Sequence, residues 1–232
     1  MKFSIVIPVL NESKNLNFLV SKINFYLKKY TYEIIIVDDS STDGSKSILT
    51  KLKKKFKNLK VILRKNKTRD LSKSCSEGFE IAKFDYILIM DGDLQHNPKY
   101  IPLMLSIFKK NKCDFVIGVR NLIKKRVKSL SFFRQSASLI MIRFFDFAFG
   151  KKTIDPMSGF FLFKKKIYTR NKKKLFLKGF KILADLIYSE KKFIIKDIVI
   201  KFDYRKKGKS KLNFKILFIL LNFIIYRLLN NI

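Results

Sequence analysis

Tyr86-Ile87-Leu88-Ile89-Met90 runs directly into Asp91-Gly92-Asp93-Leu94-Gln95. Five apolar residues without alternation suit a strand buried on both faces, and such strands belong to parallel sheets covered by helices. In an open α/β sheet, ligands collect beyond the carboxyl ends of the strands. The stretch therefore carries two carboxylates and an amide to the ligand edge. Paired carboxylates there suit an oxygen-loving divalent cation held against substrate phosphates. Taken alone, the same residues also fit a solvated turn, because Asp and Gly are ordinary turn formers.

Working outward, the first half of the chain repeats this grammar. Apolar runs at Phe3–Ile7, Tyr32–Val37, Val61–Leu63 and Phe115–Gly118 alternate with helical patterns at Asn15–Lys29, Asp43–Lys55 and Leu71–Ala82. Strands alternating with helix-length segments predict a Rossmann-like, mostly parallel central sheet with helices on both faces. The second half is less regular. It holds an aromatic helical pattern from Leu130 to Phe149, a strand at Phe160–Phe163, another at Ile194–Phe202, and a basic loop, Lys206-Lys207-Gly208-Lys209-Ser210-Lys211. No internal repeat is visible.

The 232 residues and 47% hydrophobic content allow one sizeable domain with an appended element. Lys and Arg number 51 against 18 acidic residues, a formal charge of +33, which points to a polyanionic partner: nucleic acid, anionic lipid or a phosphorylated substrate. The heavy use of Lys, Ile, Phe and Asn, with 24 Phe and no Trp, also fits compositional drift in an AT-rich genome, so the charge does not choose among these partners. Cys75 and Cys113 lack metal or disulfide spacing and fit a reducing, cytosolic setting. The N-terminus meets Pro8 and Asn11 too soon for the apolar core of a signal peptide, so secretion by that route is not expected.

Two more strand ends carry acids. Pro8-Val9-Leu10-Asn11-Glu12 follows the first strand, and Val37-Asp38-Asp39-Ser40-Ser41-Thr42-Asp43-Gly44-Ser45 the second. Asp43 fits a helix N-cap. Asp38 and Asp39, closing an all-apolar strand, suit hydrogen bonds from a base and a ribose. In this order and spacing, Pro-x-x-Asn-Glu, Val-Asp-Asp-x-Ser-x-Asp-Gly-Ser and Met-Asp-Gly-Asp-Leu-Gln-His-x-Pro closely resemble the family 2 glycosyltransferases of GT-A fold. Arg69-Asp70-Leu71-Ser72-Lys73 with Gly78-Phe79, Gly118-Val119-Arg120, and Arg205 through Leu212 make the chain look most like the polyprenol and dolichol phosphate mannosyltransferases within that family.

The resemblance implies a GT-A domain over 1–212, with a nucleotide-sugar half at 1–118 and an acceptor half at 119–212. It implies that Pro8, Glu12, Asp38 and Asp39 line the nucleotide pocket with Asp91 and Asp93, and that Asp91, Asp93 and Gln95 hold Mg²⁺ or Mn²⁺ on the diphosphate. Arg120, Arg134, Ser138, Arg205 and Lys211 match positions that bind the acceptor phosphate, with Asp93, Arg120 and Arg205 nearest the chemistry. The expected reaction is inverting transfer of mannose from GDP-mannose to a polyprenyl phosphate. A UDP-glucose or other UDP-sugar donor is the alternative, because no sugar-selecting residue is legible. A phosphate monoester is already anionic at neutral pH and attacks without a general base. A sugar hydroxyl acceptor would need one, and Asp155 and Asp185 are the carboxylates available in that case. His96, the only histidine, receives no role. The chain departs from the family's pattern at Phe161, where an Arg is usual, and the loop after Arg120 looks short.

Nucleic acid is not expected as a partner. No recognised nucleic-acid motif is present, and Asp38, Asp39, Asp91 and Asp93 would sit badly at the centre of such an interface. Residues 213–232 form an apolar stretch bracketed by Lys209, Lys211, Lys215 and Arg227, whose uninterrupted apolar run, Ile216–Leu221, is short for a membrane span. Two readings are open: a helix packed on the domain, or a helix lying in the membrane interface with its cations on anionic headgroups. The second is favoured, giving a protein peripheral on the cytoplasmic membrane face. Oligomeric state is not legible.

Overall fold

The structure is a computed structural model that describes residues 1–65, 68–120, 142–143, 145–179, 182–202, 222–223 and 225–227. Seven strands form one sheet in the order β3-β2-β1-β4-β6-β5-β7. They are β1 (Lys2–Val9), β2 (Thr31–Asp38), β3 (Leu59–Leu63), β4 (Tyr86–Ile89), β5 (Phe115–Val119), β6 (Phe161–Lys164) and β7 (Ile195–Val199). The first four pair in parallel, and β5 pairs in parallel with β7. β6 runs antiparallel between β4 and β5. The GT-A architecture expected from the sequence is therefore present, with one reversed strand joining the two halves.

Both faces are covered. On one lie α1 (Ser13–Tyr26), α2 (Ser45–Lys55) and α4 (Ile101–Lys110), which bury Leu16, Leu19, Ile23, Leu49, Met104 and Phe108 against alternate residues of the strands. On the other lie α3 (Leu71–Ile81), α5 (Lys165–Asn171) and α6 (Ile182–Ile187), with Phe79, Tyr168 and Leu186 packed under Phe161 and Phe163. Each such side chain contributes roughly 1.5–3 kcal/mol by leaving water. The sequence reading did not name α4, although Ile101, Met104, Leu105 and Phe108 are spaced as one helical face. Asn97 and Pro98 also mark its approach, the Asn97 side chain accepting from the Lys99 amide.

Part of the aromatic pattern ending at Phe149 is helical at 142–143 and 145–149, and its aromatic residues meet the C-terminal segment. Phe145 stacks on Tyr188 at 5.7 Å, and Phe223 reaches Phe145 and Phe176, each at 5.8 Å. Arg227, expected to face lipid headgroups, is instead buried, its Nη2 donating to both the backbone carbonyl and the carboxylate of Asp185. A guanidinium entering this apolar layer needs a counter-charge, and Asp185 supplies it.

Candidate active site

The carboxyl ends of β1, β2 and β4 form one edge, laced together by its loops. The Asp39 amide donates to the Val9 carbonyl at 2.9 Å, the Asn11 amide to Ser41 Oγ at 2.8 Å, and the Thr42 amide to Asn11 Oδ1 at 2.8 Å. Each loop contains one non-glycine residue in the left-handed region: Asn11 (φ 58°), Ser40 (φ 61°) and Leu94 (φ 67°). Such residues are uncommon and cluster where a site imposes its own geometry. Pro8 lies at the end of β1 on the same hydrogen-bonding side as Val6, whose carbonyl accepts the last bond from Met90. Its missing N–H therefore falls where the β1–β4 ladder has already opened.

Asp38 and Asp39 are both buried but differ in their partners. Asp38 Oδ1 accepts from the Ser41 amide at 2.9 Å, while Oδ2 is buried with no hydrogen-bond partner among the described residues. A buried carboxylate oxygen without a donor is costly, so Oδ2 is suited to a donor on a ligand. Asp39 is held by the protein itself. Its Oδ1 accepts from Arg64 Nη1, and its Oδ2 from the Asp70 amide at 2.7 Å, at the start of α3. Burial pushes the Asp39 carboxyl above its ordinary pKa, the Arg64 guanidinium opposing. Arg64, which sequence reasoning missed, also donates to Glu77 Oε1 at 3.0 Å and Ser74 Oγ at 3.1 Å. Its signal was one cation directly after the short apolar strand β3.

The turn after β4 is arranged differently. Asp91 is only partly buried, and it lines a pocket with Gln95, His96, Arg120, Met157, Ser158, Gly159 and Phe202. Asp93 is buried and folded back, its Oδ1 accepting from the Gln95 amide at 3.1 Å. Glu12 lies beside this turn: a Cβ on Gly92 would come within 2.7 Å of Val9 Cγ1 and 3.6 Å of Glu12 Cγ. Gly159 is equally constrained, since its Cβ would fall 2.6 Å from Asp91 Oδ2. His96, left without a role by the sequence, accepts a hydrogen bond from the Asp91 amide on Nδ1 at 3.0 Å. Its ring stacks on Phe160 at 5.1 Å and meets Phe202 edge-on at 4.9 Å. Burial pushes its pKa down to about 4, against the pull of Asp93, so Nδ1 is free to accept.

Arg120 enters the same pocket from the end of β5. Its Nε donates to Asp155 Oδ2 at 3.0 Å, and its guanidinium lies over the Phe202 ring at 5.5 Å. Neither carboxylate weighed as a base for a hydroxyl acceptor is placed to act as one. Asp155 is fully buried, one oxygen on Arg120 and the other accepting from the Met157 amide at 3.2 Å. Asp185 is buried under Arg227 and the amides of Phe176 and Leu177. The structure thus brings Asp91, Gln95 and Arg120 together, with Pro8, Glu12, Asp38 and Asp39 in the neighbouring part of the edge. Arg134, Ser138, Arg205 and Lys211 lie outside the described residues. Among the described residues, no group of three or more His, Cys, Asp and Glu side chains is clustered as a metal site.

Comparison with known proteins supplies the lineage. A dolichol-phosphate mannosyltransferase of Pyrococcus furiosus is 36% identical over 231 residues, covering 99% of this chain and 64% of its own length. The enzyme of the same name from Saccharomyces cerevisiae is 30% identical, covering 94% of this chain and 83% of its own. The chain thus spans less than two thirds of the Pyrococcus relative. Among solved structures, glucosyl-3-phosphoglycerate synthase from Mycobacterium tuberculosis, in complex with Mn²⁺, uridine diphosphate and phosphoglyceric acid, matches with a TM-score of 0.70 at 16% identity. That match covers 99% of this chain and 78% of the other, and it shows a shared fold. The model of glycosyl transferase family 2 matches residues 4–171, and the chain belongs to that family.

Proposed function

We propose that the protein is an inverting glycosyltransferase that moves mannose from GDP-mannose to a polyprenyl phosphate, dolichyl or undecaprenyl, at the cytoplasmic face of a membrane. The observation that carries this reading is the meeting of an exposed carboxylate, Asp91, with a guanidinium, Arg120, in one pocket at the ligand edge. The first suits a cation-bound diphosphate and the second a second phosphate on the acceptor. The names of the relatives in Pyrococcus and Saccharomyces support both the sugar and the acceptor.

The donor set fits a hard divalent ion. Asp91 and Gln95 present oxygen ligands to the pocket, and Asp93 lies two residues from each. These three residues would hold Mg²⁺ or Mn²⁺, the remaining ligands coming from diphosphate oxygens and water. When bound, the ion neutralises charge on the departing nucleoside diphosphate. The Mn²⁺ and uridine diphosphate in the mycobacterial structure support a metal of this kind.

The chain's own residues do the rest. Asp38 Oδ2 accepts from the nucleoside, and Glu12 and Gly92 pack together at the neighbouring β4 turn. Arg120 holds the acceptor phosphate so that one of its oxygens approaches the anomeric carbon opposite the leaving group. A new C–O bond forms as the C–O bond to the diphosphate breaks, and the diphosphate leaves with the electron pair. The acceptor is anionic already, so no carboxylate has to take a proton. The burial of Asp155 and Asp185 supports an anionic acceptor over a sugar hydroxyl.

No helix among the described residues is long and apolar enough to cross a membrane. A peripheral contact is supported by the charge of +33 and by exposed Phe147 and Ile225 on the helical segments around Phe223. The test supplies purified protein with radiolabelled GDP-mannose, Mg²⁺ and a polyprenyl phosphate. Labelled lipid is expected, with none from Asp91→Ala. Labelling from UDP-glucose but not GDP-mannose would overturn the donor, and transfer from neither would overturn the enzyme reading.

A further inference from the structure

The segment between β5 and β6 holds a buried carboxylate that the proposed chemistry does not use. Asp155 is fully buried. Its Oδ2 accepts from Arg120 Nε at 3.0 Å, its Oδ1 from the Met157 amide at 3.2 Å, and its backbone carbonyl from the Ser158 amide at 3.1 Å. Ser158 Oγ in turn donates to the Gly118 carbonyl at 2.6 Å, two residues before Arg120. Behind Asp155, Asp197 of β7 accepts from Thr153 Oγ1 at 2.6 Å and from the Ile154 amide at 2.7 Å. The next glycine, Gly159, lies against the Asp91 carboxylate. One short turn therefore touches the cation on the acceptor side and the carboxylate on the donor side.

We propose that Asp155 is a positioning residue for phosphate capture: it fixes the Arg120 guanidinium against the Phe202 ring, so that the acceptor phosphate is presented at a set distance from Asp91. This rests on the reading of Arg120 as an acceptor-phosphate ligand. An unrestrained arginine side chain samples many rotamers, and a misplacement of about 1 Å in a reacting group costs on the order of a hundredfold in rate. Nε is the nitrogen nearest the chain, so an ion pair there fixes the plane of the fork and leaves the outer nitrogens for a bidentate anion. The buried carboxylate also holds the guanidinium in place when no phosphate is present.

Asp155→Asn tests this, because an amide has one oxygen to offer where two N–H donors now find two. The acceptor kcat/KM is expected to fall roughly ten- to a hundredfold, with the dissociation constant of the nucleoside diphosphate, measured by calorimetry with Mn²⁺, unchanged within about twofold. A thermodynamic cycle with Arg120→Met isolates the mechanism: in the Arg120→Met background, Asp155→Asn should add nothing to the acceptor defect. Should Asp155→Asn not fold, Asp197→Asn, one layer further back, gives the same acceptor-specific loss at smaller amplitude. Additive losses in the cycle, or equal losses in donor and acceptor binding, would overturn the proposal while the enzyme reading stands. A wild-type protein that transfers sugar but shows no saturation by polyprenyl phosphate would overturn the acceptor reading itself.

Discussion

β2 and β4 are both apolar strands that end in two acids on the same edge of the sheet, yet their acids have opposite fates. Asp39 is closed off: its side chain is 7% exposed, against Arg64 at 1%. Asp91 is 39% exposed and faces a pocket. The difference lies in the neighbours. A buried cation arrives from β3 beside β2 and takes up Asp39, while the Asp91 amide donates to a neutral histidine, His96. On the proposed function, Asp91 serves the ligand while Asp39 builds the edge, and a buried counter-cation marks the second kind. Asp38 lies between the two, with one oxygen satisfied and one without a partner among the described residues.

The comparison breaks first at Arg64. Arg64→Met leaves Asp39 without this cation in a buried layer, and removing one partner of such a pair costs about 3–5 kcal/mol. A urea or thermal unfolding curve is expected to show that loss, with the N-terminus of α3 first to lose amide-exchange protection. A stability within about 1 kcal/mol of wild type would mean that Asp39 is not held in the way described. At Asp91 the prediction is reversed. Asp91→Asn is expected to leave the melting curve almost unchanged and to lower the transfer rate by about a hundred- to a thousandfold, the usual loss when a group stabilising charge at the reacting centre is removed. Measuring both quantities on both variants separates edge-building acids from ligand-serving ones.

How far each fate was legible in the sequence follows from the same physics. The strands β1, β2 and β4 could be read because a strand buried on both faces is predominantly apolar, Ser4 and Glu33 being buried exceptions, and their acids could be placed because chain direction puts them at one edge. The reversal of β6 was not legible. Phe161–Phe163 is as uniformly apolar as the parallel strands, and nothing in an apolar run records its direction. Pairings such as Asp39 with Arg64, or Asp155 with Arg120, join residues 25 and 35 positions apart and exist only once the sheet has formed. For the same reason Arg227 was assigned to lipid headgroups: its partner, Asp185, is 42 residues away. His96 was passed over because a lone histidine carries no spacing, and its role as acceptor for the Asp91 amide is a matter of three-dimensional fit.

Asp38 sharpens the comparison at intermediate amplitude. Asp38→Asn keeps an oxygen for the Ser41 amide and replaces the unpartnered oxygen with an NH₂ group. Stability should change little, because no protein donor is lost. Nucleoside diphosphate affinity is expected to weaken about tenfold, near 1.4 kcal/mol, since a ligand donor would meet a donor in place of an acceptor. Calorimetric titration of the variant with GDP in the presence of Mg²⁺ measures it. Unchanged affinity would move Asp38 into the edge-building class with Asp39.

The smallest effect belongs to Asp43, an acid of the β2 loop that only ties structure together. The N-cap of α2 is Gly44 and not Asp43 as the sequence suggested; Asp43 Oδ1 accepts from the Ser45 amide at 3.1 Å and hydroxyl at 2.6 Å, at the first residue of α2, while its Oδ2 accepts from the Ser13 amide at 2.9 Å, at the start of α1. Burial raises its pKa, but the hydrogen bonds from Ser45 and Ser13 outweigh it and hold the carboxyl down at about 2. The sign follows from linkage. A folded pKa below the unfolded value of 3.8 means that the unfolded chain binds the proton more readily. The stabilisation from Asp43 is thus fully present above pH 3.8 and is lost as the pH falls from 3.8 toward 2. Asp43→Ala is expected to cost about 1 kcal/mol at neutral pH, the usual net worth of an intramolecular hydrogen bond. The difference between wild type and variant, followed by urea unfolding across that window, should narrow toward pH 2. A difference that stays constant from pH 7 to pH 2 would show that these contacts do not depend on the charge, and that Asp43 acts as a neutral hydrogen-bond acceptor between the first two loops.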